Sequence, residues 1–390
     1  MLLSIVHDGT SLLNLEGVVL IRAKVDECVN TGKHATVEVS DPHGKLDNYV
    51  SVLDIPSQVT LRYSSELNGT RYDSSLQLWF IVGYRNSGFT AVIDLVDLVG
   101  ILDLTNGVKG YRGTASEIAK QSLAEVASTY HYDLAIEESL KIVWLLQQTG
   151  ESCYSFIMDR LRPLAISKDN RANYVLYTSG HKLHFAPYDY DSLVVKLDSS
   201  TLRNKFRYAK MYDSIKAGAA GKFAVSYNPL TGTTLTYGEQ GDSALKTGSV
   251  STTFQKYAQN FYACSTYENS DYEAGCRVRN IVEDALMASY ELVFSSVVLV
   301  PLDIGNAVVS NYTNEGEKVQ SWDGLWYIRS KHWQFENKTT TMIVRCCRNQ
   351  KQKTEFSDSV DTDEGTTNQP MRSDAVTTVS TSMEAQDPSS

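Results

Sequence analysis

The chain of 390 residues lacks the features that mark several large classes of protein. Its apolar runs all fall short of the ~20 residues that a membrane-spanning helix needs. The apolar N-terminus has no basic segment, and Asp8 and Glu16 interrupt it, so we expect no secretory signal peptide. The N-x-T triplets at Asn68, Asn311 and Asn337 are therefore interpreted as chance matches rather than glycosylation sites.

Cysteine is present but lacks the spacing of a metal site or a redox motif. No CxxC pair occurs, and no histidine pair complements the cysteines as a zinc site would require. Scattered cysteines in a chain of this size indicate free thiols in a reducing compartment. The six are Cys28, Cys153, Cys264, Cys276, Cys346 and Cys347.

Basic residues are fewer than acidic ones, which gives a formal net charge of −10. A general nucleic-acid binder needs a basic face, so this class is disfavoured. The charge is uneven: residues 357–390 hold seven acids and one base, which leaves −4 for the body. After about Asn349 large apolar groups are few, which predicts an acidic tail that is disordered or folds only on a partner.

What the chain does have is tyrosine, at 23 residues, and a period-2 pattern in both halves. Tyrosine supplies contact area with a polar end, which suits strands and interfaces. Residues 1 to about 105 predict about six strands at regular spacing, typical of a compact antiparallel barrel or sandwich. The length allows two or three domains.

The period changes after Gly113, where a helix is predicted. Thr114 followed by Glu117 forms a capping box, and the apolar residues that follow share one face. A second helix is predicted from about Leu140, and a third after "TGES", which Pro163 should end. The segment "RANYVLYTSGHKLHFAP" then predicts short strands around a turn.

The second half predicts a β-domain interrupted by helices. We expect strands in "LRNKFRYAKMYDSI" and "KFAVSYNPLTGTTLTYGE", helices in two segments between 249 and 296, and a closing hairpin at 324–349. The fold class is α+β, mainly β, with two similar antiparallel β-barrel domains, a helical middle, inserted helices and a disordered tail. The predicted domains are 1–107, 108–190, 191–256, 257–295, 296–349 and 350–390.

The closing hairpin carries the main chemical candidate, with His332 as base and Cys346 or Cys347 as nucleophile. No helix start or elbow presents either thiol, so packed strand residues are the favoured interpretation. Other candidates are also better explained as solvated or structural groups. They are Lys222 in the loop "AGAAGKF"; His34, His43, His131, His181 and His184; the acidic pairs in "DLVDL", "DYDS" and at Glu137 and Glu138; and the basic strip Arg203, Lys205, Arg207 and Lys210. We therefore predict no catalytic, metal or cofactor site.

The order of elements over about residues 1–349 resembles the baseplate hub proteins of contractile phage tails, which are related to the hub part of type VI secretion spike proteins. Three segments carry the resemblance: "FTAVIDLVDLVGIL" at the end of the first β-domain, "TGESCYSFIMDRLRPLA" with the strands after it, and "GLWYIRSKHWQFENKTTTMIVRCCRN". The last is similar to the family's closing hairpin, in which a strand reaches a histidine and a Thr-rich strand returns to an arginine.

The resemblance implies a homotrimer that is not an enzyme. Each subunit would contribute two similar barrels, so six would match a sixfold tail tube and three subunits a threefold central spike. Implied partners are the tube or tube-initiator protein, the spike, the tape-measure protein and surrounding baseplate proteins, with DNA passing through the channel without specific binding. The implied location is the tail baseplate of a virion assembled in the host bacterial cytoplasm.

Two alternatives stay open. A distal-tail-type adaptor would form a hexameric ring, and a cell-wall hydrolase would use carboxylates or the His332 region.

Overall fold

The computed structural model describes most of the first half of the chain and separate segments of the second. Described are residues 2–188 except 68, 69, 75 and 170, then 194–198, 208–212, 223–227, 234–237, 261–264, 276, 277, 280, 284, 290–296, 302–311, 324–336 and 339–348. In this part of the chain no helix has the length and apolarity to cross a membrane.

The first β region is built of eight strands and one short helix, where its period-2 pattern predicts about six strands. Alternate residues of the strand at Val19–Cys28 are buried from Ala23 to Glu27, which places one face of this part of the strand on the core. The strands are β1 (Leu2–His7), β2 (Thr10–Ser11), β3 (Val19–Cys28), β4 (Gly32–Ser40), β5 (Ser57–Leu67), β6 (Thr70–Asp73), β7 (Gln77–Asn86) and β8 (Thr90–Val96), with a 3-10 turn at Leu12–Asn14 and α1 at Lys45–Val50.

A middle region of helices and short sheets follows. Its elements are α2 (Leu98–Leu104), β9 (Asn106–Gly113), α3 (Ala115–Thr129), β10 (Asp133–Ile136), β11 (Trp144–Ser152), α4 (Cys153–Ser155), a π-helical segment (Phe156–Leu161), a 3-10 turn (Arg162–Leu164), β12 (Tyr174–Ser179) and β13 (Lys182–Pro187). The predicted capping box is confirmed, because Glu117 N–H donates to Thr114 Oγ1 at 3.3 Å and Thr114 N–H donates to Glu117 Oε2 at 2.8 Å.

The described strands of the second half are β14 (Val194–Asp198), β15 (Tyr208–Tyr212), β16 (Phe223–Tyr227), β17 (Thr234–Tyr237), β18 (Phe261–Cys264), β19 (Tyr290–Ser296), β20 (Ala307–Asn311), β21 (Gly324–Glu336) and β22 (Thr339–Arg348). β16 and β17 pair antiparallel, as the turn "NPLTG" predicts. The predicted closing hairpin is confirmed as β21 and β22.

Three helix predictions are wrong over all or part of their length. The segment after Leu140 forms β11, because β9 provides an antiparallel partner for its apolar run. Part of the first predicted inserted helix forms β18, which pairs parallel with β16. The last part of the second predicted inserted helix forms β19, which pairs with β22. Residues 276, 277, 280 and 284 of this segment are helical, as predicted. In each case pairing across the sheet overrides a local helical pattern.

One large sheet joins the two β regions. Its described pairings run in the order β15-β19-β22-β21-β3-β4-β8-β7-β5-β1-β2, with β6, β14 and β20 attached at the side. The join is the antiparallel pair of β3 and β21, from Ser330 opposite Cys28 to Glu336 opposite Arg22. The fold is thus mainly β, as predicted. Among the described strands, no pairing connects the two ends of this path into a closed barrel.

Candidate interaction site where the two β regions join

The structure separates the predicted histidine and cysteines along the closing hairpin. His332 lies opposite Ile343 on β22, whereas Cys346 lies opposite Ile328 and Cys347 opposite Tyr327. Four strand residues from Ile328 to His332 span about 13 Å. A base and a nucleophile must be within hydrogen-bond reach of each other, so this hairpin does not assemble the hypothesised pair.

Both thiols are also poorly suited to nucleophilic chemistry. Cys346 and Cys347 are buried, and burial raises the pKa of Cys346 well above its usual range. Burial likewise raises the pKa of Cys347 to about 12, and the nearby Arg329 offsets only part of that effect. Since the thiolate is the reactive form, these two residues are packed thiols at neutral pH.

His332 instead contacts a carboxylate on the outer face of the join. Its Nδ1 lies against Asp26 Oδ1 of β3, the residue directly opposite it. The two side chains are 32% and 52% exposed, so water screens this pair. Its neighbour Trp333 is buried on the other face and packs against Tyr63 with ring centroids 4.9 Å apart. The prediction of a strand histidine beside a packed tryptophan is confirmed.

On the inner face, the same two strands bury a three-residue charge cluster, which we name the Glu27 cluster. Lys331 Nζ lies 3.0 Å from Glu27 Oε1, and Lys33 Nζ of β4 lies 3.1 Å from Glu27 Oε2. All three side chains are at most 2% exposed. The Lys331 ammonium also donates to Tyr63 Oη at 3.0 Å and to the Leu302 carbonyl at 2.9 Å.

Charge compensation decides the ionisation of the Glu27 cluster. Burial opposes the charge on Glu27, but Lys33 and Lys331 outweigh it and hold the pKa of this carboxyl below its ordinary value. Burial also opposes the charge on Lys331, yet Glu27, Tyr63 and Asp303 raise its pKa well above the usual range. Glu27 and Lys331 therefore stay ionised at neutral pH, and the cluster ties β3, β4 and β21 together.

The outer face of the sheet carries exposed, paired charges on both sides of the join. Arg22 lies 2.8 Å from Glu38, Arg85 lies 2.9 Å from Asp94, and Arg345 lies 3.2 Å from Glu291. These pairs connect β3 to β4, β7 to β8, and β22 to β19. The outer face is thus polar and of mixed charge on strands of both β regions.

A cleft of about 420 Å³ opens at one end of the join, where all three regions meet. Cys28, Tyr154, Arg162, Arg329 and Cys347 are among its lining residues. Arg162 donates two hydrogen bonds to the Asp284 carboxylate, at 2.6 and 2.7 Å, which fixes a residue of the second half against the middle region.

The remaining candidate residues do not converge. His181 lies 3.2 Å from Asp133, and the His184 ring stacks on Tyr177 with centroids 4.6 Å apart. His34 is exposed on β4 opposite Asp26, His43 is exposed in the turn after β4, and His131 follows α3 with a positive φ. In the described residues, no three His, Cys, Asp or Glu side chains are placed to hold a metal ion.

The acidic and basic candidates are likewise dispersed. Asp94 pairs with Arg85 on the outer face, whereas Asp97 is buried and accepts from Thr178 Oγ1 at 2.6 Å. Glu137 and Glu138 contact different cations, Arg171 and Lys168. Lys222, the segment "DYDS", and the side chains of Arg203, Lys205, Arg207 and Lys210 lie outside what the structure describes.

Sequence reasoning missed the Glu27 cluster, although its signal is present. Val25, Glu27 and Ala23 alternate with exposed residues, and Lys331 precedes Trp333 by two positions. Charged residues in the apolar phase of a strand indicate buried ions that need partners. Which charges meet depends on the register of β3 against β21, which periodicity alone does not define.

Comparison with known proteins finds likeness in structure alone. No family model and no curated protein sequence matches the chain. The structure is similar to the tail protein from Neisseria meningitidis MC58, at 10% identity and a TM-score of 0.59, covering 91% of this chain and 98% of that one. It is also similar to the 43 kDa tail protein of prophage MuSo2 from Shewanella oneidensis, at 10% identity and a TM-score of 0.57, covering 89% and 97%.

A chain of the half-lidded Francisella PdpA-VgrG complex is similar as well, at 10% identity and a TM-score of 0.52. That match covers 94% of this chain and 59% of the other. The predicted resemblance is therefore confirmed at the level of the fold: the chain has the fold of phage tail proteins and of a chain in a VgrG complex.

Proposed function

We propose that this chain is a structural, non-enzymatic hub of a phage tail baseplate. The observation that carries the proposal is the fold similarity to two tail proteins, which extends over about nine tenths of this chain and nearly all of theirs. A similarity confined to one region would leave room for an added activity elsewhere. Here the three regions are matched as one unit.

In this proposal the chain forms a homotrimer that adapts a sixfold tail tube to a threefold central spike. Each subunit supplies two similar β-barrel units, bounded approximately by 1–107 and by 191–256 with 296–349. The sheet through β3 and β21 supports this arrangement, because backbone pairing joins the two β regions of one subunit. A ring of six units in three copies needs that coupling to keep its spacing.

The outer face of the sheet is proposed to line part of the channel through which tape-measure protein and DNA pass. Arg22, Arg85 and Arg345 on this face are paired with Glu38, Asp94 and Glu291, so these three are not free cations for phosphates. A polyanion would then pass without being held. Tube, spike and surrounding baseplate proteins are the proposed partners, in a virion tail assembled in the host bacterial cytoplasm.

The experiment that tests the proposal is symmetric imaging of the purified protein, alone and mixed with the spike and tube proteins encoded with it. We expect threefold particles that bind both partners. A hexameric ring would instead support the distal-tail adaptor. A stable monomer that ignores both partners would contradict both tail roles.

The hydrolase alternative is tested separately by incubating the unmodified protein and the His332→Ala variant with peptidoglycan. We expect no turnover from either protein. Turnover that the substitution abolishes would establish an enzymatic role for the His332 region and refute the non-enzymatic proposal.

A further inference from the structure

In the middle region, β9 and β11 form a two-stranded antiparallel ribbon. The strands pair antiparallel from Val108 opposite Thr149 to Gly113 opposite Trp144. One face of the ribbon packs on the core through Tyr111, Trp144 and Gln148, which are buried. Val108, Gly110 and Arg112 lie on the other face and are exposed. Since each strand has one partner among the described strands, the ribbon has two edges.

The hydrogen-bond phase of the ribbon shows which groups point to those edges. The Thr149 backbone N–H donates to Glu151 Oε2 at 2.6 Å, so it is not available to β9. The Val108–Thr149 pair is therefore a non-hydrogen-bonded pair, and the same phase recurs every second residue. It follows that the backbone N–H and C=O groups of Val108, Gly110 and Arg112 point away from β11, toward the free edge of β9.

The two edges are treated differently by the rest of the fold. On the β11 edge, Arg160 of the π-helical segment donates to the Gln147 carbonyl at 2.9 Å. On the β9 edge, no described group bonds the outward backbone atoms of Val108, Gly110 or Arg112. A side chain thus bonds one outward carbonyl of the β11 edge, whereas the β9 edge presents an unpaired ladder, which is a template for a further strand.

Side chains along β9 add apolar and basic character to this edge. Val108 is 78% exposed, and Leu145 on the same face of the ribbon is 76% exposed. A Cβ at Gly110 would meet no atom within 4 Å, so the space between these two side chains is open. The strand contains Lys109 and Arg112 and no acid, and within the described residues neither cation has a carboxylate at ion-pair distance.

We propose that the free edge of β9 binds an extended acidic segment of another protein as a third strand. Main-chain hydrogen bonds to Val108, Gly110 and Arg112 would provide the register, as in other strand-addition complexes. Alternate apolar side chains of the incoming segment cover Val108 and lie over Gly110 toward Leu145. Carboxylates on the opposite face of the segment pair with Lys109, and a carboxylate at the end of the segment pairs with Arg112 on the Val108 face, which gives the charge selectivity.

Two other occupants fit less well. A second copy of β9 would bring another Lys109 and Arg112 to the same edge, and like charges across a strand pair are destabilising. The acidic segment 357–390 of the chain itself has the right charge, but it contains no leucine, isoleucine or aromatic residue to cover the exposed apolar groups. A partner with both acids and larger apolar residues matches the surface better.

The test measures hydrogen exchange of residues 106–113 in the full chain with two probe peptides. One is a seven-residue peptide in which Glu alternates with Val and Leu, and the other has Lys in place of Glu. We expect the acidic peptide at saturation to slow exchange of this strand about tenfold, because exchange then requires dissociation. The basic peptide should leave exchange unchanged.

A charge-reversed variant, Lys109→Glu with Arg112→Glu, should reverse this preference, so that the basic peptide protects the strand instead. The matched control, Lys120→Glu with Lys182→Glu, changes the net charge equally at other exposed sites and should retain the original preference. Equal protection by both peptides, or none by the acidic one, would overturn the proposal.

Two further outcomes would also overturn it by assigning the edge elsewhere. Protection in the free chain that disappears when residues 350–390 are removed would identify the chain's own acidic segment as the occupant. Protection that grows with protein concentration in the absence of peptide would identify a second copy. None of these results depends on whether the protein forms a trimer, so failure here is distinct from failure of the hub proposal.

Discussion

The two faces of the β3–β21 join place contacts between a basic and an acidic side chain on neighbouring residues of the same strands, yet in opposite surroundings. Lys331 and Glu27 meet on the inner face at 0% exposure, whereas His332 and Asp26 meet on the outer face, where both side chains reach water. Both pairs follow from one register. We therefore expect solvent exposure, rather than the presence of the contact, to determine how much the stability of the fold depends on it.

The largest expected effect comes from removing one partner of the buried pair. Lys331→Ala leaves Glu27 with only Lys33 in a dry site, which should lower the free energy of unfolding by about 3–5 kcal/mol. Urea denaturation of the purified variant measures the loss. A matched triple variant, with Glu27→Leu, Lys33→Met and Lys331→Met, removes all three charges and should be clearly more stable than the single variant. A triple variant as unstable as the single one would contradict this account.

An intermediate effect is expected from pH. Because the folded pKa of Glu27 lies below its unfolded value of 4.5, its contribution to stability is present above about pH 4.5 and is lost as pH falls through the folded pKa. The folded pKa of Lys331 lies above 10.5, so its contribution is complete below pH 10.5 and is lost as pH rises through the folded value.

The measurement is the free energy of unfolding from pH 2 to pH 12 for the wild type and for the triple variant. The two curves should approach each other at both extremes, where the wild type loses its cluster. Parallel curves over the whole range would show that the cluster does not contribute as described.

The smallest effect is expected on the outer face. His332→Ala or Asp26→Ala should change the free energy of unfolding by less than about 1 kcal/mol, because both side chains reach water and an exposed polar contact contributes little. Adding 1 M NaCl should leave the Lys331→Ala effect largely intact, because salt screens a buried ion pair much less than an exposed one. A loss at His332 comparable with that at Lys331 would mean that the outer pair is not screened by water.

Local patterns predicted much of the fold. The capping box of Thr114 and Glu117, three residues apart, predicts the start of α3. The alternation of apolar and polar residues around a turn predicts the hairpin of β21 and β22. The helix predicted from about Leu140 is wrong, because β11 forms by pairing with β9, which lies more than thirty residues earlier in the chain. Local propensity carries no information about that partner.

The site was predictable to a smaller extent. Trp333 as a packed neighbour of His332 could be expected from alternation alone. The meeting of Lys331 with Glu27, and of His332 with Asp26, depends on a strand register between segments about 300 residues apart. The open edge of β9 could not be predicted from the sequence either, because it depends on whether any other element covers the strand.

The position of β3 beside β21 also has a consequence for synthesis of the chain. The partners Asp26 and His332 are 306 residues apart, so at 5–20 residues per second a ribosome needs roughly 15–60 s between them. During that interval β3 has only β4 as a lateral partner, and its other edge is unfilled. Lys33, made six residues after Glu27, is available to neutralise this carboxylate from the start. The nascent first region can thus collapse around an ion pair of its own, and Lys331 completes the site when the last hairpin arrives.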